Sequence, residues 1–145
     1  MRLGERLALS LRADDVVVLG GGLGAGKTQF AKGVAKGLGV DDEVTSPTFN
    51  ILVQHVGDEL PLLHFDLYRL NDEGDLEDVD FFGLIESGGA SLVEWGSKFP
   101  QAMPDERLDV NIAVAEDGSR DVTVTGQGGR GCELEREFEL SLVLG

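Results

Sequence analysis

The chain has 145 residues, enough to bury one substantial core and too few for two. Its 27 acidic against 12 basic residues leave a formal net charge of −15, a surface that repels phosphate backbones and argues against a protein that grips RNA or DNA directly. The single cysteine, Cys132, excludes an internal disulfide and fits a reducing compartment, and no apolar run approaches the ~18 residues of a membrane span, so a cytoplasmic location is expected. The opening MRLGERLALSLRADD is too charged for a signal peptide, and its Leu3, Leu7, Ala8 and Leu11 form one helical stripe. Val16-Val17-Val18-Leu19 comes next, a β-branched apolar run typical of a buried parallel strand.

Gly21-Gly22-Leu23-Gly24-Ala25-Gly26-Lys27-Thr28 then matches G-x-x-x-x-G-K-[ST] at every fixed position. Behind it, Phe30, Ala31, Val34, Ala35 and Leu38 recur at helical spacing, and Gly39 is placed to cap the helix. Strand, glycine loop and helix are the context this motif needs. Glycines let successive N–H groups turn inward as an anion-binding nest, and the helix opening adds its positive dipole end. Lys27 is placed to reach the β- and γ-phosphates of a nucleoside triphosphate, and Thr28 to ligate Mg²⁺.

Pro47 forbids a helix across DDEVTSPTFNILVQHV, and Ile51–Val56 reads as a strand. Ser46-Pro47-Thr48-Phe49 sits where many P-loop proteins carry a loop that senses the γ-phosphate, although an ordinary turn into a strand has the same composition. After the turn GDEL, PLLHFDLYRL is a second apolar strand, running into Asp66; ASLVEW is a third, running into Glu94. Between them, Leu76, Val79 and Phe82 suggest one short helix in an acidic stretch. RLDVNIAV and RDVTVTG alternate around AEDGS as an antiparallel hairpin. GQGGRGC has the composition of a mobile link, and LEREFELSLVLG fits either a helix (Leu134, Phe138, Leu142) or a strand (Phe138, Leu140, Leu142, Leu144). The expected architecture is a single α/β domain over residues 1–145, a P-loop NTPase-type three-layer sandwich. Its core sheet should be mostly parallel with antiparallel edge strands, and 126–145 is a tail of undecided form.

Ligands of such sheets bind at the carboxyl ends of the strands. A P-loop enzyme needs a carboxylate facing Thr28 to complete the Mg²⁺ shell, and Asp66 and Glu94 both qualify, one for the metal and the other to polarise the attacking water. His64 shares a strand face with Asp66, as a donor to the site or as a buried core histidine, whereas His55, beside a turn, is expected to be exposed. Trp95 directly follows Glu94 and could pack in the core, stack on a base, or meet a partner protein. Only Arg69 lies between the P-loop helix and the third strand, which weighs against a small-molecule kinase with an arginine-bearing lid. No N-K-x-D-like stretch follows that strand, which weighs against a GTP-dependent switch. A nucleotide-gated binding module with incidental hydrolysis would carry the same residues as a slow ATPase.

LGAGKT, SPTFNIL, HFDLYRL and LVEWG, in this order in a chain of this size, make residues 3–125 resemble the bacterial TsaE (YjeE) family. Its members are small ATPases required for the threonylcarbamoyl modification of adenosine 37 in tRNAs that read ANN codons. The resemblance implies ATP with Mg²⁺, slow hydrolysis, and a complex with the TsaB and TsaD proteins, of which TsaD is the transferase. Carried onto this sequence, it assigns Gly22, Leu23, Gly24, Ala25, Gly26, Lys27 and Thr28 to the phosphates, and Thr28 and Glu94 to Mg²⁺. Asp66 becomes the second essential acid, Ser46 and Thr48 belong to a switch-like loop from Ser46 to Phe49, and Trp95 follows the metal ligand as it does in the family. Two features depart from the pattern. Gly22 stands where the family usually has an acid. Family members also usually begin earlier, with a Ser/Thr-containing segment near the adenine, so either those contacts are missing or the start is set too far downstream.

Overall fold

The structure, a computed structural model, describes residues 2–22, 26–41 and 51–144. The apolar runs become the strands of one six-stranded sheet: β1 (Val16–Gly21), β2 (Leu52–His55), β3 (Leu62–Asp66), β4 (Ala90–Glu94), β5 (Arg107–Val114) and β6 (Arg120–Gln127), in the order β2-β3-β4-β1-β5-β6. β1 runs parallel to β4 on one side and to β5 on the other, and β3 runs parallel to β4. β2 and β6 close the two edges antiparallel. The mostly parallel core with antiparallel edges is as the sequence predicts.

Strand parity sorts the side chains onto two faces. Val17 and Leu19 of β1, Leu62 of β3, Leu92 of β4 and Leu108, Val110 and Ile112 of β5 pack under α1 (Arg2–Ala8), α2 (Lys27–Gly37) and α5 (Gly128–Leu144). Val16, Leu63, Phe65 and Val93 face the other way, against Leu76, Phe81, Phe99 and Met103. Every residue of β3 and β4 is buried, the signature of parallel strands covered on both faces. The acidic stretch makes two short helices where one was expected. α3 (Glu73–Asp78) opens on a reciprocal capping box between Asp72 and Asp75, and Asp80, at φ 57°, turns the chain before α4 (Phe81–Leu84). The break lets Leu76 and Phe81 reach the same core.

The ending 133–144, which fits either a helix or a strand in sequence, is helical, with Leu134 and Phe138 buried against the sheet, and GQGGRGC, expected to be a mobile link, instead ends β6 and opens α5. The glycines of GQGGRGC are used for close approach: a Cβ on Gly126 would meet the Gly131 carbonyl, and one on Gly131 the Arg107 carbonyl. His55, expected at the surface, is buried. The turn after it folds back onto the end of α2, where the Asp58 N–H donates to the Leu38 carbonyl at 2.9 Å.

An ion pair ties α5 to the segment that leads into β1. Arg130 Nε and Nη2 donate to Asp15 Oδ1 and Oδ2 at 2.9 and 2.8 Å, and Nη2 also donates to the Ser10 carbonyl at 2.7 Å. The hydrogen bonds to Asp15 push the guanidinium above its ordinary pKa against the opposing effect of burial. Arg12, by contrast, pairs with Glu133 and Glu137 while largely in water. Breaking a buried pair strands a charge and costs ~3–5 kcal/mol, whereas an exposed pair is worth ~0–1 kcal/mol. Asp15→Ala should therefore lower unfolding stability by about 3 kcal/mol in urea titration and Arg12→Ala by less than about 1 kcal/mol; equal effects would mean that the Asp15 pair does not hold the fold.

Candidate nucleotide-binding site

β1 delivers the glycine loop at its carboxyl end, and α2 leaves from the other side of it. Gly26 is the N-cap of α2 at φ 100°, a left-handed value that a side chain would strain, and no side chain caps the helix there. The N–H groups of the first turn are thus offered at the helix's positive end. Lys27 and Thr28 are the first two residues of α2. Gly22 is exposed beside the loop; Leu23, Gly24 and Ala25 lie outside the described residues, as do Ser46, Pro47, Thr48 and Phe49.

The two acids arrive through sheet register. Leu19 of β1 pairs with Glu94 of β4, and Glu94 pairs with Asp66 of β3. Parity places both carboxylates on the α2 face, in line with Leu62 and Leu92. Lys27 Nζ lies 3.7 Å from Glu94 Oε1. His64 Nε2 donates to Glu94 Oε2 at 2.7 Å, fully buried, so the histidine is both a core residue and a partner of the site. Because an ionised carboxylate only accepts, this bond puts the ring proton on Nε2. His64 Nδ1 is then buried without a hydrogen-bond partner among the described residues.

Asp66 is almost as buried, and its Oδ1 accepts from the Tyr68 N–H at 3.0 Å. Burial holds its carboxyl above the ordinary pKa; the Tyr68 N–H opposes this, the like charge of Glu94 adds to it, and Lys27 offsets it. Among the described residues, two buried carboxylates face one lysine, and they are short of positive charge. That deficit, with the Thr28 hydroxyl near by in sequence, suits a hard cation bound by few protein oxygens and completed by water and phosphate, as Mg²⁺ is. Among the described residues no group of three or more His, Cys, Asp and Glu side chains is gathered as a self-sufficient metal cage.

Trp95 does not pack in the core. It is exposed, at φ 64°, with Lys27 Nζ 5.1 Å from its ring and Tyr68 tilted against it at 5.0 Å. A left-handed conformation at a bulky residue costs ~1–3 kcal/mol and persists only where its surroundings enforce it. Tyr68 and Lys98 are the residues that sequence reading missed. Lys98 Nζ donates to the Tyr68 and Leu70 carbonyls, both at 2.6 Å, tying the segment after β3 to the 3₁₀ turn (Gly96–Lys98) after β4. No motif marks Lys98; only the adjacency of β3 and β4 gives it a role.

Because burial of ionised Asp66 opposes folding, Asp66→Asn should raise the thermal midpoint of the ligand-free protein at neutral pH. The penalty is absent below the ordinary carboxylate range, where the acid is protonated folded and unfolded, and is complete once pH has risen through the raised folded value. The gain should therefore shrink on acidification when midpoints are compared by calorimetry. A loss at neutral pH would mean that Asp66 is a structural anion.

Comparison with known proteins fits this geometry. The family described as threonylcarbamoyl adenosine biosynthesis protein TsaE matches residues 1–122. A tRNA threonylcarbamoyladenosine biosynthesis protein TsaE from Streptomyces coelicolor is 47% identical, over 88% of this chain and 90% of its own. The protein of that name from Bacillus subtilis is 44% identical, over 80% of this chain and 72% of its own. The crystal structure of Bacillus subtilis YdiB superposes with a TM-score of 0.80 at 34% identity, over 95% of this chain and 85% of that one. On sequence and fold together, the chain belongs to the TsaE family.

Proposed function

We propose that this protein is the ATP-binding and ATP-hydrolysing component of tRNA threonylcarbamoyladenosine biosynthesis, acting with the TsaB and TsaD proteins. What carries the reading is the convergence of Lys27, Glu94 and Asp66, from three different elements, at the carboxyl end of the sheet beside the glycine loop. Lys27 would leave Glu94 for the β- and γ-phosphates, while the loop and first-turn N–H groups cradle them. Thr28 and Glu94 would hold Mg²⁺, whose charge neutralises the phosphate oxygens as the γ-phosphoryl group departs. Asp66, with its raised pKa, is suited to orient the attacking water and draw its proton. His64 keeps Glu94 aimed across the strands at Lys27. A net charge of −15 supports a role exercised through protein partners, because the chain is ill-equipped to hold tRNA itself. The Ser46–Phe49 loop would report the γ-phosphate to those partners, its hydroxyls making contacts available in only one nucleotide state.

Lys27→Ala should weaken ATP binding at least about tenfold by titration calorimetry, since a charge-assisted contact is worth ~1.5–3 kcal/mol. Glu94→Gln should keep most of the nucleotide affinity, lose its dependence on Mg²⁺ and stop hydrolysis. Normal turnover by Glu94→Gln would reverse the roles of the two acids. Capture of TsaB–TsaD by the immobilised protein should be stronger with ATP than with ADP or no nucleotide; equal capture in all three states would remove the coupling.

A further inference from the structure

His64 is a polar residue in an apolar place. It stands in the middle of β3, paired with Val53 of β2 on one side and Leu92 of β4 on the other, and is only 1% exposed. Glu94 lies two residues beyond Leu92, so the imidazole reaches along the sheet toward its carboxyl edge. Nε2 donates to Glu94 Oε2 at 2.7 Å, and Nδ1 has no hydrogen-bond partner among the described residues. An apolar side chain would fill this position without leaving a polar atom buried and unsatisfied, so what histidine adds here is the bond to Glu94. Asp66 is held in a similar way, its Oδ1 accepting from the Tyr68 N–H at 3.0 Å. Each acid therefore has one oxygen engaged by a donor fixed in the fold. The second oxygen of Glu94, Oε1, faces only Lys27 Nζ at 3.7 Å, the end of a flexible chain that can withdraw.

We infer that His64 sets the metal preference of the site, holding Glu94 to a single free oxygen and so favouring Mg²⁺ over Ca²⁺. The inference rests on the proposed reading in which Glu94 holds the cation of the nucleotide. Mg²⁺ is small and demands octahedral geometry, which one oxygen per carboxylate suits. Ca²⁺ is larger, takes more oxygens and accepts carboxylates that give both of theirs. Glu94 could give both only by displacing the imidazole N–H, which would leave Nε2 as well as Nδ1 buried and unsatisfied. That cost falls on the calcium complex and not on the magnesium complex. His64 is a positioning residue: it is not itself a ligand, and it acts through the carboxylate it holds.

Calorimetric titration of ATP in the presence of Mg²⁺, of Ca²⁺ or of a chelator reads this preference directly. The unaltered protein should bind ATP more tightly with Mg²⁺ than with Ca²⁺. His64→Leu frees Oε2 and should reduce the ratio of the two affinities about tenfold, the scale of one charge-assisted hydrogen bond. His64→Asn, whose amide reaches only as far as Nδ1 does, should reduce it too, and keeps the test open should the leucine variant not fold. His64→Gln, whose amide nitrogen can take the place of Nε2, should restore it. An unaltered ratio in His64→Leu or His64→Asn would overturn the inference. So would a fall of one size with Mg²⁺, with Ca²⁺ and with the chelator, which is what loosened packing gives, and so would a ratio in His64→Gln as low as in His64→Leu. Failure of the unaltered protein to bind ATP, or an ATP affinity indifferent to metal, would overturn the nucleotide reading and the inference with it, so the parent titration tells the two failures apart.

Discussion

The register of three parallel strands governs the chemistry of this molecule. Leu19, Glu94 and Asp66 stand side by side across β1, β4 and β3, so the glycine loop and both acids emerge at one level. A slip of one residue in β3 or β4 would turn its acid to the opposite face, away from Lys27. Around the acids, Leu62, Leu63 and Phe65 in β3 and Leu92 and Val93 in β4 are buried on the two faces of the sheet, which packs both strands firmly in this register. The site is therefore as precise as the core is well packed, and it needs no network of its own to hold the backbones in place.

The charges at the site suit the anionic guest of the proposed function, although the protein has the same sign. Lys27 lies between Glu94 and the Trp95 ring, and His64 occupies the other oxygen of Glu94. Lys27 gives Glu94 partial neutralisation that a divalent cation would supply more fully. On the proposed nucleotide reading, a triphosphate arriving with its cation would offer each member of the pair a stronger partner, so Lys27 and Glu94 could separate without either being left buried and alone. An acidic chain can then bind an anion tightly and locally, while its surface stays repellent to extended phosphate polymers.

Much of this was legible in the sequence because it is local. The glycine loop, its strand and helix, and acids that end apolar strands are all patterns within about ten residues. What escaped depends on which segments become neighbours. His55 lies beside a turn in sequence but beneath a fold-back onto α2 in space. Lys98 acts because its 3₁₀ turn abuts the segment after β3, and Trp95 adopts its left-handed conformation between Lys27 and Tyr68. The ending LEREFELSLVLG fits a 2.0-residue and a 3.6-residue period almost equally. The helix prevails because Leu134 and Phe138, on one helical face, meet the sheet while Leu140 and Leu142 stay exposed.

The two ends of β1 divide stability from function. At its amino end, Asp15 and Arg130 fasten α5 to the segment leading into the strand. At its carboxyl end, about 20 Å along six residues of strand, lies the glycine loop. A parallel sheet gathers all its carboxyl ends on one edge, so elements that close the core can anchor to the opposite edge without entering the site. α5 follows this rule at Arg130, with Leu134 and Phe138 covering the sheet behind it. The β5–β6 hairpin is the exception, since its antiparallel return begins at the carboxyl edge and so places Arg120 there. An antiparallel edge strand is thus the means by which a residue late in the chain reaches the phosphate loop, and a purely parallel addition beside β5 would have placed its first residue at the wrong end.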